Sequence, residues 1–267
     1  MLPILLLLAL TFSTFGADLE SVGFISSSTL DSFGETAGGY GSAAAYDAQV
    51  GILYLTSDRG PGDGTIDYAP RLFAVPIPSP NTQNPVGTQA SASKPAPEPG
   101  AVQSPPTSKD SVNVIVNLNQ PSSARLYKDP DGKLFTGLIP DSSDPEPRMK
   151  DGRRCLDPEG LALMKDGNLY VSEEYYPSVL QFKPDGTFLA RFVPPENYLP
   201  RNAAGEVDFR AMEKRTEGRE DNRGFEGVAR SPDGKTIYTI LQSALTQDGG
   251  RSEEHTSELQ SRQYLAC

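Results

Sequence analysis

A pattern that returns at a fixed internal distance limits this chain more than any other feature. Glu159-Gly160 stands seven residues before Asp166-Gly167, and Glu226-Gly227 stands seven before Asp233-Gly234. In each copy a short apolar run, Leu161-Ala162-Leu163 or Val228-Ala229, leads to an Asp-Gly pair and then to Leu169-Tyr170-Val171 or Ile237-Tyr238-Thr239. Glycine after aspartate supplies the positive φ that a tight hairpin needs, and β-branched and aromatic residues suit the strands on either side. Each copy therefore reads as a β-hairpin with a glutamate at the start of its first strand.

Asp131-Gly132 and Asp185-Gly186 repeat the turn, and Leu53-Tyr-Leu-Thr-Ser-Asp58 repeats the strand without it. No long stretch has helical periodicity, although the charged segment Val207 to Glu220 has room for a short helix. Hairpins repeated in this way predict an all-β fold, a β-propeller of antiparallel blades, because one hairpin buries its apolar face only against the next. In a propeller the first strand of each blade lines a central channel, so Asp157-Pro158-Glu159 and Asn222 to Glu226 would meet at one mouth.

Other segments stand apart from this pattern. Met1 to Leu10 is almost wholly apolar and too short to span a bilayer, which predicts a signal peptide over 1–16 and a secreted protein. Serine and proline crowd a stretch at about 79–110, which predicts a disordered insertion within a domain covering 17–250. Arg251-Ser-Glu-Glu-His-Thr-Ser-Glu-Leu-Gln-Ser261 resembles a translated sequencing adapter, so 251–267 is set aside as an artefact. The propeller is then expected to be incomplete, truncated at its C-terminal end.

Setting that tail aside removes the single histidine, His255, and one of two cysteines, leaving Cys155 alone. A serine-histidine-aspartate triad and a His-ligated zinc site are thereby excluded. The formal net charge of −11 argues against nucleic acid and anionic membranes as partners, and an acidic surface suits a hard cation held by oxygen.

Asp157-Pro-Glu-Gly-Leu-Ala, Asp166-Gly-Asn-Leu-Tyr-Val-Ser-Glu-Glu-Tyr175, Asn222-Arg-Gly-Phe-Glu-Gly-Val-Ala229 and Ser231-Pro-Asp-Gly-Lys-Thr-Ile-Tyr238 together resemble the phytase-like family, also described as esterase-like activity of phytase. The resemblance implies a phosphoric ester hydrolase whose substrate is a small anion such as phytate, with calcium as cofactor. Carboxylates gathered at a channel mouth repel unless a cation or proton is shared. Asp58, Asp157, Glu159, Glu173 and Glu226 are accordingly the expected metal ligands, Glu159 and Glu226 the catalytic carboxylates, and Arg59 and Arg223 the grips on phosphate oxygens.

Two other readings stay open. A glutamate at the start of an inner strand can simply bind backbone N–H groups and fix the ring, giving a non-catalytic propeller that binds a ligand. The run Asp-Gly-Asn-Leu-Tyr-Val also resembles metal-dependent lactonase-type propellers. The loop holding Asp58, Asp63 and Asp67 is either a calcium or substrate loop or a series of solvated turns.

Overall fold

The computed structural model describes residues 22–24, 29–36, 40–77, 115–117, 123–211, 214–249 and 264–266. Its strands are β1 Val22–Phe24, β2 Tyr40–Asp47, β3 Ile52–Ser57, β4 Arg71–Pro76, β5 Ile115–Asn117, β6 Ser123–Leu126 and β7 Pro158–Leu163. They continue as β8 Leu169–Glu173, β9 Ser178–Phe182, β10 Phe188–Phe192, β11 Phe225–Arg230, β12 Ile237–Leu241 and β13 Tyr264–Ala266. Helix among the described residues is limited to two single 3-10 turns, Glu196–Tyr198 and Thr246–Asp248. The chain is all-β.

β2-β3-β4-β6 and β7-β8-β9-β10 are four-stranded antiparallel meanders, the form of a propeller blade, and β11-β12-β13 is a third sheet of the same kind. β1 and β5 belong to a separate unit, where Val22 through Phe24 pair in parallel with Ile115 through Asn117. The expected signal peptide lies outside the described residues, as does the expected insertion. That insertion falls between β4 and β6, which pair directly, so one blade closes across it.

The four Asp-Gly pairs singled out in the sequence, at 131–132, 166–167, 185–186 and 233–234, put glycine at positive φ, from 75° to 84°. Their aspartates keep ordinary backbone angles. In the turn after β7 the N–H of Gly167 donates to the Met164 carbonyl and that of Met164 to Asn168, while Asp166 Oδ1 accepts from the Asn168 N–H at 3.0 Å. This is a four-residue turn ending in a left-handed glycine, and it needs only one residue at positive φ.

The segment predicted to have room for a helix has none among its described residues. Its backbone is taken up instead by bridges from Arg201 to Val207 and Glu217, with Gly205 and Gly218 at positive φ. Tyr264–Ala266, from the tail set aside on sequence grounds, pairs with Tyr238–Ile240 on the free edge of β12. An open strand edge offers unpaired N–H and C=O groups to any extended segment, and this one occupies it.

The first two blades share one apolar layer built from Tyr54, Leu72, Tyr127, Leu156, Leu169, Leu180 and Phe182. Alternation decides which side chains enter it: Leu169 and Val171 on β8 are fully buried while Tyr170 between them is only half-buried. Tyr127 lies 4.6 Å from the Phe182 ring centroid, and its hydroxyl reaches Thr56 Oγ1 at 3.0 Å, so this large polar side chain is buried with its oxygen satisfied. Packing of the two blades sets β2, β7 and β11 side by side, with β7 in the middle.

Candidate functional site

β2, β7 and β11 share an irregularity near their first residues. Register slips between Tyr40 and Ala43, between Pro158 and Gly160, and between Phe225 and Val228. An extra residue in one strand bends it and re-aims a side chain out of strict alternation. The residues carried in these bulges are Ser42, Glu159 and Glu226. Ser42 Oγ donates to Glu159 Oε2 at 2.7 Å, so the bulge of β2 orients the glutamate of β7.

Two glycines make the close approach possible. A Cβ on Gly160 would lie 2.5 Å from the Glu226 carbonyl oxygen and 2.7 Å from the Val228 nitrogen, so β7 meets β11 only because that atom is missing. A Cβ on Gly224 would lie 2.0 Å from the Glu174 carbonyl oxygen. Gly227 meets nothing nearer than Ile240 at 3.5 Å and plays no such part.

Asp157, Glu159 and Glu174 converge there, with one oxygen of each within 4.8 Å of the others. Asp157 and Glu174 are each 1% exposed. Asp157 Oδ2 and Glu174 Oε1 have no hydrogen-bond partner, an arrangement that costs free energy unless something else satisfies them. Burial, then repulsion from Glu159 and Glu174, holds Asp157 well above the carboxylate range. Burial pushes Glu159 up to about 7 against its bond from Ser42, with Glu174, Glu226 and Asp58 adding repulsion. Burial also raises Glu174, opposed by Arg219.

The other predicted ligands are distributed around this cluster. Asp58 and Glu226 lie close enough to disfavour ionisation of Glu159, and Glu226 is itself raised by burial and held back by Arg223. Glu173 is directed elsewhere. Its Oε1 accepts from the backbone N–H of Asp157 at 3.0 Å and of Tyr175 at 3.1 Å, and its Oε2 from that of Tyr176. With both oxygens accepting backbone N–H groups in a fully buried position, Glu173 braces the strand ends and is not among the three converging carboxylates. The acid that joins Asp157 and Glu159 is its neighbour Glu174, which sequence reasoning did not name.

The repeat contained the signal. Leu53-Tyr-Leu-Thr-Ser-Asp58, Leu169-Tyr-Val-Ser-Glu-Glu174 and Ile237-Tyr-Thr-Ile-Leu-Gln242 align on their tyrosines and put Asp58, Glu174 and Gln242 at one position. The backbone agrees, since Glu174 N–H donates to the Asp157 carbonyl as Gln242 N–H does to that of Gly224.

Of the predicted phosphate grips, Arg223 makes no ion pair among the described residues, whereas the Arg59 guanidinium is already held by Asp63, Asn222 and Asp157. Burial works against the Arg59 cation, but Asp157 and Tyr175 outweigh it and hold its pKa above the ordinary value. The remaining acids of its loop serve internal contacts: Asp67 accepts from Thr136 and Arg153, and Asp63 from Arg59.

A calcium ion takes six to eight oxygens at 2.3–2.6 Å, so two ligands of one ion lie at most roughly 5 Å apart. The three carboxylates meet that limit. Their all-oxygen donor set, with Asp157 Oδ2 and Glu174 Oε1 buried and accepting no hydrogen bond, fits a hard cation, and Asp157, Glu159 and Glu174 are the residues that would hold it.

A model of the phytase-like family, described as esterase-like activity of phytase, matches residues 35–264. A protein of Arthroderma benhamiae called "Uncharacterized secreted protein" is 32% identical over 92% of this chain, and the chain spans about half of that relative, 52% of its length. Among solved structures, a candidate 6-phosphogluconolactonase from Bacteroides uniformis aligns with 75% of this chain and 50% of its own at 11% identity. A streptogramin B lyase aligns with 76% of this chain and 62% of its own at 14% identity. Both give a TM-score of 0.24, too low to establish a shared fold.

Proposed function

Because the chain belongs to the phytase-like family, we propose that it is a secreted, calcium-dependent phosphoester hydrolase acting on phytate or a similar phosphorylated substrate. One observation carries this reading: Asp157, Glu159 and Glu174 converge from two neighbouring strand ends, with Asp157 Oδ2 and Glu174 Oε1 buried and without a hydrogen bond. Secretion is in keeping with the name of the fungal relative, and no helix among the described residues is long and apolar enough to cross a membrane.

Asp157, Glu159 and Glu174 would hold the calcium ion, which would supply positive charge to phosphate oxygens and lower the pKa of a water. Ser42 keeps Glu159 turned toward the other two acids, and Glu173 keeps the backbone at Asp157 in place. Glu226, half-buried beside the cluster, takes the proton from the attacking water. Arg223 grips the phosphate oxygens and holds the ester for in-line attack. As the water oxygen bonds to phosphorus, the bond to the alcohol oxygen breaks and that oxygen takes a proton from solvent.

The test is phosphate release from phytate with calcium present and after its chelation. Release that stops on chelation and falls roughly 100-fold or more in Glu159→Gln supports the reading. Calcium binding without phosphate release would replace it with a binding module, and hydrolysis of lactones without phosphate release would replace it with lactonase chemistry.

A further inference from the structure

Arg59 lies just beyond β3 and touches the ends of three neighbouring sheets. Its backbone N–H donates to Asp157 Oδ1 at 2.9 Å, and its Nη1 lies 3.4 Å from Asp157 Oδ2. Nε donates to Asp63 Oδ1 at 2.9 Å, Nη2 reaches the same oxygen, and Nη1 donates to Asn222 Oδ1. Behind it, a Cβ on Gly137 would lie 2.0 Å from the Arg59 carbonyl oxygen, so the backbone is walled in as well.

Two of the three residues that hold the guanidinium share a backbone feature. Asp63 at φ 56° and Asn222 at φ 53° are the two non-glycine residues with positive φ among those described, and they come from loops on different sheets. Aspartate and asparagine enter that region more readily than other L residues, and here both side chains accept from the same Arg59 guanidinium. A planar guanidinium meets three partners at once because its donors form a rigid fork; a lysine ammonium in the same place reaches one side or the other.

Resting on the calcium reading above, we propose that Arg59 is a positioning residue for the cation site rather than a grip on substrate. It fixes Asp157 in the ligating orientation through both its backbone and its side chain, ties the 58–70 loop and the approach to β11 above the cluster, and supplies a permanent positive charge there. One charge among three carboxylates leaves the cluster suited to a single divalent ion. Substrate phosphate then falls to Arg223.

Calorimetric titration of the full chain with calcium chloride, followed by titration of the calcium-saturated protein with inorganic phosphate, separates the two roles. Wild type should bind one calcium. Arg59→Lys, which keeps the charge and loses the fork, should bind calcium about tenfold more weakly, with phosphate affinity at saturating calcium unchanged. Asn222→Gly keeps the backbone conformation at an exposed site and removes one holding group; it should weaken calcium in the same direction without lowering the melting temperature in excess chelator. Calcium affinity unchanged in both variants overturns the proposal, as does a loss of phosphate affinity alone in Arg59→Lys. A wild-type protein that binds no calcium removes the underlying reading as well, and that outcome is distinct because it appears before any substitution is made.

Discussion

Three backbone N–H groups converge on the carboxylate of Glu173, while the adjoining Glu174 keeps an oxygen with no partner. Chain neighbours in a strand face opposite ways, so one position separates the acid that braces backbone N–H groups from the acid that joins the carboxylate cluster. Glu173→Gln replaces one oxygen, which can accept an N–H bond whether or not the carboxyl is protonated, by an NH2 that cannot, and leaving a buried donor unmet costs about 1–3 kcal/mol. That variant should melt well below wild type and still bind calcium. Composition alone did not distinguish the two acids, since both are glutamates in the same motif. Aligning the three tyrosine-centred strands does distinguish them, because Glu174 then shares a position with Asp58.

Protonation at the cluster gives a pH dependence whose sign is fixed by burial. Glu159 is raised to about 7 and Glu173 to about 8, in both cases chiefly by burial. Between the unfolded carboxyl value and these folded values the native state binds more protons than the unfolded state, so stability falls as pH rises. In excess chelator the melting temperature should be highest below about pH 4.3 to 4.5 as far as these two groups contribute, and that contribution should be lost through pH 7 to 8. Added calcium should restore melting temperature at pH 8 more than at pH 5. Equal calcium effects at both values would count against a cation at Glu159.

At the scale of strands, much was legible and the decisive irregularity was not. Four of the Asp-Gly pairs marked hairpins because only a residue without Cβ turns the chain there cheaply, and Gly132, Gly167, Gly186 and Gly234 have the required φ. The bulges at Tyr40 to Ala43, Pro158 to Gly160 and Phe225 to Val228 arise from how neighbouring strands pack, which no local pattern states. Gly160 is where that packing is tightest. Gly160→Ala would push β7 off β11, with an expected loss of about 1–3 kcal/mol in unfolding free energy by denaturant titration. The same substitution at Gly227, which has open space, should cost far less. Equal losses would mean that close approach is not what Gly160 provides.

Over the whole molecule, the antiparallel meanders bring together residues far apart in sequence: Ser42 bonds to Glu159, Arg59 to Asp157, and Arg59 to Asn222. The all-β repeat was readable because hairpin after hairpin repeats one pattern. The particular acids that meet were less so, because convergence depends on which blades are adjacent and on how each bulge aims its side chain. The central claim is that Asp157, Glu159 and Glu174 hold one calcium ion, and the most direct measurement is a calorimetric calcium titration of wild type beside Glu174→Gln and Glu173→Gln. The account predicts one bound calcium in wild type and in Glu173→Gln, and binding lost or weakened by about tenfold or more in Glu174→Gln. Full calcium affinity in Glu174→Gln, with loss in Glu173→Gln instead, would contradict it.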